Sequence, residues 1–313
     1  MRRTLSLQAV GAPAWTDGMR VRGSSRDARV DAAGALYPLD DAQLDAELDS
    51  SAVVRDLSIR PAAGAHVDTP SAAGLVGARA AGGFRRRLAE IFGPGPGMLG
   101  LAAALLDDLP AMRMPAGYAA LIEGSGRVQA GSAPAMANVC SGWRDGGAAA
   151  ARAGAGDILL DPSPWAPSLE RLVSAPGDFH VEPEPRERSM LRRRVLEVRR
   201  LGTDLDVYSY FRDSYRDADG RERSLHEYVI HARVAGDPLV ITAVEATPHA
   251  LPFPECPLAA RNAADLIGVP VAELGTVTGS LLAGARGCTH LTDALRFLRH
   301  VPALTPRADD RQP

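Results

Sequence analysis

The chain has 313 residues, 46% of them hydrophobic and 23% charged, with a net charge of −3, so it has room for two ordinary globular domains. That balance leaves no basic excess for gripping nucleic-acid phosphates. All 35 basic residues are arginine, which excludes a Schiff-base lysine, a pyridoxal phosphate anchor and a Walker-A lysine.

Three cysteines, Cys140, Cys256 and Cys288, are too few and odd in number for a secreted disulfide framework, and they imply reduced thiols in the cytoplasm. The opening Met1 to Leu7 superficially resembles a signal peptide. Gln8, Pro13 and Asp17 interrupt it too early, and it reads better as a strand. No run approaches the roughly 18 apolar residues that span a bilayer, so no membrane partner is expected.

Along the chain, two segments share an order of features. Each starts on an Arg-flanked strand, Met1 to Leu7 and Leu191 to Glu197, and runs into an Arg/Asp/Gly-rich stretch, Arg20 to Gly34 and Arg212 to Arg223. Each continues through a β-type run, Val53 to Ile59 and Leu239 to Val244. Next come Leu75-Val76-Gly77 and Leu266-Ile267-Gly268, and then helical stretches at Phe84 to Phe92 and Val271 to Leu282. Both segments close on a further apolar helix, after Gly97 and after Gly287.

The shared order predicts an α+β fold, a tandem duplication of one module in which an antiparallel sheet is followed by helices. Residues 1–112 form a degenerate N-terminal copy and residues 189–303 the C-terminal copy. Residues 113–188 form a Pro/Gly/Ala-rich connection with a short ordered piece near 138–143, and residues 304–313 a loose tail. In the C-terminal copy, strands are expected at 193–199, 205–213, 226–234 and 238–246, and helices at 257–267, 271–283 and 288–299.

The chemistry-bearing residues of that copy fall at element boundaries. His226 opens a strand, Cys256 starts a helix after Pro254, and Cys288 and His290 begin the last helix. Helix N-termini favour thiolate, so two thiols so placed, with two imidazoles, suit a metal such as zinc or iron. Glu227 and Glu245 would then serve as general base or orienting carboxylate. At the aligned places the first copy has Asp40, Pro70 and Met98-Leu99-Gly100, and so lacks the set. Residues alone leave two further readings open: a metal-free Cys/His catalytic pair, and a structural one in which the cysteines fill the core, Thr289 caps the helix and His290 packs its first turn. Gly95-Pro96-Gly97-Met98-Leu99-Gly100 matches a dinucleotide fingerprint, but a helix precedes it where a strand is required, so NAD is not expected. Arg85-Arg86-Arg87 and Arg192-Arg193-Arg194 read as solvated faces or edges.

The strand start His226-Glu227, Glu245, the Pro-flanked Cys256 and above all Gly287-Cys288-Thr289-His290-Leu291 give residues 191–300 a resemblance to a bacterial family, domain of unknown function 2889. The resemblance implies a fold unit and no activity. The order His226, Cys256, Cys288, His290 is also similar, remotely, to the ligand order of NifU-type iron–sulfur scaffolds. His226 stands where that family has its first Cys, and His290 follows its Cys by two places. Three functions fit: a metal-dependent hydrolase or lyase acting on a small molecule, a metal or sulfur carrier, and a non-catalytic binding or assembly protein.

Overall fold

The computed structural model describes residues 1–11, 15–61, 72–93, 95–113, 117–119, 136–154, 166, 179–184 and 186–305. Most of the expected connection, Pro70, and the tail beyond 305 lie outside the described residues. Four strands, β1 (Arg2–Gly11), β2 (Gly18–Val30), β3 (Leu36–Asp49) and β4 (Val54–Pro61), precede one helical run. Four more, β5 (Ser189–Leu201), β6 (Asp204–Arg216), β7 (Glu222–Ala235) and β8 (Val240–Ala250), precede another. They form one sheet in the order β4-β3-β2-β1-β5-β6-β7-β8, so β4 and β8 are its edges. With the helices that follow, this is the expected α+β architecture.

In β1, Leu5, Leu7 and Ala9 line one face, and Thr4, Ser6 and Gln8 the other, the period-two alternation of a strand covered on both sides. Sequence reading did not place strands at 18–30 or 36–49, because arginine and aspartate crowd both. Pairing explains them. The antiparallel register sets Arg20 opposite Glu47, Arg22 opposite Asp45 and Arg26 opposite Asp41. Their charged atoms lie at 2.7, 3.3 and 2.8 Å. Opposite charges directly across a sheet each contribute about 0.2–1 kcal/mol, enough to offset poor intrinsic strand propensity.

The described helices are α1 (Phe84–Phe92), α2 (Leu101–Asp108), α3 (Ala148–Gly154), α4 (Leu274–Leu281) and α5 (Thr289–Arg296). Shorter 3₁₀ segments join them, and Cys256–Leu266, expected as an ordinary helix, is 3₁₀ throughout. Among the described residues no helix is long and apolar enough to cross a membrane.

The two strand-then-helix runs repeat in detail. Val53 bridges to Arg79 as Val240 bridges to Pro270. The Gly77 N–H donates to Val54 and the Val54 N–H to Ala78, just as Gly268 donates to Ile241 and Ile241 to Val269. Gly97 and Gly287 both sit where an added Cβ would collide with a preceding carbonyl oxygen, that of Phe92 or of Leu282. A two-pronged guanidinium contact also recurs. Arg3 donates to Asp27 through Nε and Nη2 at 2.7 Å each, and Arg192 to Asp213 at 2.8 and 2.7 Å.

The chain divides into two compact units, one of Met1–Ala120, Trp165–Val195 and Asp213–Arg223, the other of Leu121–Pro164, Leu196–Arg212 and Ser224–Pro313. In the first, α2 packs on β2 and β3. Arg192, Arg193 and Arg194 are buried there, which corrects the reading of this run as a solvated edge. Each guanidinium finds carboxylates inside. Arg194 takes both oxygens of Asp108 at 2.6 and 2.8 Å, and Arg193 reaches Glu182 at 2.7 and Glu222 at 2.5 Å. The planar fork of arginine suits such paired burial. His180 is buried nearby between the Ser6 and Thr4 hydroxyls at 2.7 and 2.9 Å. Burial, with Arg26 and Arg193 close by, pushes its pKa down to about 3, so the ring is neutral.

Candidate metal centre

The site is built from the start of β7, the start of α5 and the far end of β6. His226, on β7, and His290, in the first turn of α5, stack with ring centroids 3.4 Å apart and planes only 11° from parallel. Phe211, on β6, lies against His290 at 6.4 Å. The Thr289 hydroxyl stands 3.4 Å from His290 Nδ1. Asp213, His226 and His290 each offer one ligand atom, and these atoms all lie within 4.8 Å of one another, a group that could hold a metal ion. The Asp213 carboxylate already accepts the Arg192 fork. An ionised carboxylate has about four lone-pair sites, so that contact orients it and leaves capacity for a cation.

Two expected ligands, His226 and His290, therefore come together. The two expected thiols are placed differently. Cys256 and Cys288 are 3% exposed, and among the described residues neither belongs to the Asp213 group. Burial pushes Cys256 up to about 12, with Cys288 adding to it, and pushes Cys288 up to about 11. The expected helix effect is present, because the Leu291 and His290 N–H groups both favour the Cys288 thiolate. Desolvation outweighs it, and the thiols are neutral. The Tyr228 hydroxyl also favours the Cys288 thiolate, yet it meets no partner at full hydrogen-bond geometry.

Cys140 joins this neighbourhood through the short ordered piece expected near 138–143. The Ser141 N–H donates to the Gly287 carbonyl at 2.8 Å and its hydroxyl to Ala285 at 2.9 Å. Gly142 then has no room for a side chain, because a Cβ there would lie 2.7 Å from Cys256 Sγ.

The two expected carboxylates lie elsewhere. Glu227 follows His226 directly and so points to the opposite face of the strand. It accepts from the Tyr210 hydroxyl at 3.2 Å and from Ser224 at 2.9 Å. Glu245 is exposed on edge strand β8, opposite His231. Sequence reading missed Asp213. The recurrence of Arg3–Asp27 as Arg192–Asp213 was the signal that could have found it.

Against known proteins the second half of the chain is recognisable. Residues 190–303 match the DUF2889 family, described as a protein of unknown function. The match includes Asp213, His226, Cys256, Cys288 and His290, while Cys140 lies outside it. No curated protein sequence matches the chain. A crystal structure of lipopolysaccharide binding protein aligns with 78% of this chain at 8% identity and a TM-score of 0.17, too low to support a shared fold. The chain spans 65% of that protein's length.

Proposed function

We propose that the DUF2889 region is a metal-dependent catalyst of the hydrolase or lyase type acting on a small molecule. His226 and His290 hold a zinc or iron ion and Asp213 completes a three-ligand face. The convergence of one carboxylate and two imidazoles within 4.8 Å carries the reading. Three protein ligands leave coordination positions for water and substrate, the arrangement that separates catalytic from closed structural sites. Such an ion would polarise a carbonyl or activate bound water. His226 and His290 would anchor it, and the Arg192 fork would keep Asp213 turned toward it. The neutral, buried thiols support a core role for Cys256 and Cys288 more than a carrier role, which needs thiolates at the surface of exchange.

Element-resolved analysis of protein purified without chelator or nickel tests this. Wild type should carry stoichiometric zinc or iron, and His226→Ala, His290→Ala and Asp213→Asn should lose it while remaining folded. Loss of metal in Cys288→Ser as well would add that thiol to the ligands. A metal-free wild type, or a His226→Ala protein with full metal, overturns the proposal.

We also infer that the chain is a tandem duplication whose first copy has lost the site. The repeated edge bridges, the collisions at Gly97 and Gly287, and the two Arg–Asp forks support it. In that alignment Asp27 stands for Asp213, while Asp40 and Gly100 stand where the second copy has His226 and His290. Two imidazoles are thus replaced by a carboxylate and a residue with no side chain.

A further inference from the structure

The first unit has a cavity of its own. It measures about 590 Å³ and is lined by Gln8, Val10, Gly11, Arg20, Arg22, Glu47 and Arg186. The antiparallel register builds it: Gln8 pairs with Arg22 and Val10 with Arg20, and on the next strand Arg20 faces Glu47. These side chains share the face of β1–β3 opposite Leu5, Leu7 and Ala9. The Glu184 carbonyl and the Arg186 N–H lie over that face. The Gln8 carboxamide holds them there, donating to the Glu184 carbonyl at 3.3 Å and accepting from the Arg186 N–H at 3.1 Å. Arg186 is thereby fixed at the rim.

The charges in this cavity do not balance. Three guanidinium groups line it against a single carboxylate, Glu47, which Arg20 already engages at 2.7 Å. Arg22 has only a 3.3 Å contact with Asp45, and Asp45 is held more closely by Arg60 at 2.6 Å. Among the described residues, the Arg186 guanidinium has no acidic partner. Arg3, Arg26, Arg193 and Arg194 of the same unit are each matched to a carboxylate at 2.5–2.8 Å, a closer hold than either Arg22 or Arg186 has. The cleft is open, with the Arg20, Arg22 and Glu47 side chains about half exposed, and its adjacent guanidinium forks present paired N–H donors that match the oxygens of a carboxylate or phosphate.

We propose that this cavity binds a small dianion, a dicarboxylate or a phosphate monoester, through Arg22 and Arg186, with Arg20 and Glu47 closing its far side. The site is independent of the metal centre and stands or falls without it. Calorimetric titration of the full chain with succinate and with inorganic phosphate, at low ionic strength, reads it directly. Saturable binding of either is expected, at least tenfold weaker in Arg22→Gln and in Arg186→Gln and unchanged in Arg55→Gln, an exposed arginine paired with Asp49. Binding of succinate alone assigns a dicarboxylate, and binding of phosphate alone a phosphate monoester. In the unmodified chain, the same anion should protect Arg22 and Arg186 from phenylglyoxal, read by peptide mass mapping, so the test does not depend on the variants folding. Non-saturable titration, equal weakening in Arg55→Gln, or no protection of Arg22 and Arg186 overturns the proposal.

Discussion

Both compact units bury charged groups, and the second buries two cysteine thiols as well. The first buries charge as charge: Arg192, Arg193 and Arg194 lie inside with Asp108, Asp213, Glu182 and Glu222 as partners. The second, besides Arg212, Glu227 and Arg296, buries groups that can stay neutral, namely the thiols of Cys256 and Cys288 and the Tyr228 phenol, all held above their ordinary pKa by desolvation. The difference follows from available partners. A guanidinium cannot discharge, so it needs a carboxylate; a thiol or phenol can keep its proton, so it needs only space. The first unit should therefore fail when a partner is removed or the medium turns acid, and the second when the medium turns alkaline.

The largest expected effect comes from breaking the ion network. Asp108→Asn leaves Arg194 buried beside a neutral amide and weakens the hold on Arg192, and should cost about 3–5 kcal/mol in urea unfolding. A loss under 1 kcal/mol would mean that charge is not what holds this unit together. Acid acts next. His180 is neutral when folded, with a pKa of about 3 against an ordinary 6.5, so the unfolded chain binds the extra proton between those values. Stability should be nearly constant above pH 7 and fall below pH 6.5 by about 1.4 kcal/mol per pH unit, the loss reaching about 2 kcal/mol at pH 5. His180→Gln should flatten that slope.

How much of this was legible depended on whether a residue's partner was local. The strands of the C-terminal half and α1 were readable because their apolar periodicity is carried within each segment. β2 and β3 were not, because the stretches Arg20 to Val30 and Leu36 to Asp49 become strands only when their charges face each other. At the site, His226 and His290 were legible from their placement at element starts. Asp213 was not, since it sits inside a strand and the Arg192 fork that holds it is distant in sequence. The thiols were found, but their ionisation was misjudged, because the sequence displays a helix start and hides the depth at which it is buried.

Alkali sharpens the comparison from the other side. Cys256 and Cys288 ionise at about 12 and 11 when folded and near 9 when unfolded, so the unfolded chain releases protons first. Stability should fall as pH rises above 9, by about 1 kcal/mol for each thiol at pH 10. Iodoacetamide should meanwhile modify neither thiol at neutral pH until denaturant is added, as read by peptide mass. The smallest effect is expected at Tyr228→Phe, which removes a buried hydroxyl lacking a full hydrogen bond and should change stability by less than about 1 kcal/mol. A large loss there would show that the phenol is a true partner of the Cys288 thiol.

The open ends of the sheet have a consequence for self-association. An exposed strand edge is a template on which another chain can add a strand, and an eight-stranded sheet of one chain presents two of them, β4 and β8. Both are spoiled as templates in similar ways. β4 carries the charged pair Arg55-Asp56 and ends on Pro61, and β8 carries Glu245 and interrupts its ladder at Pro248, which has no N–H to donate. The short bridges from Val53 to Arg79 and from Val240 to Pro270 cover the remaining end of each edge with the chain itself. A sheet this wide is thus kept from growing into a fibril by a handful of residues at its two margins.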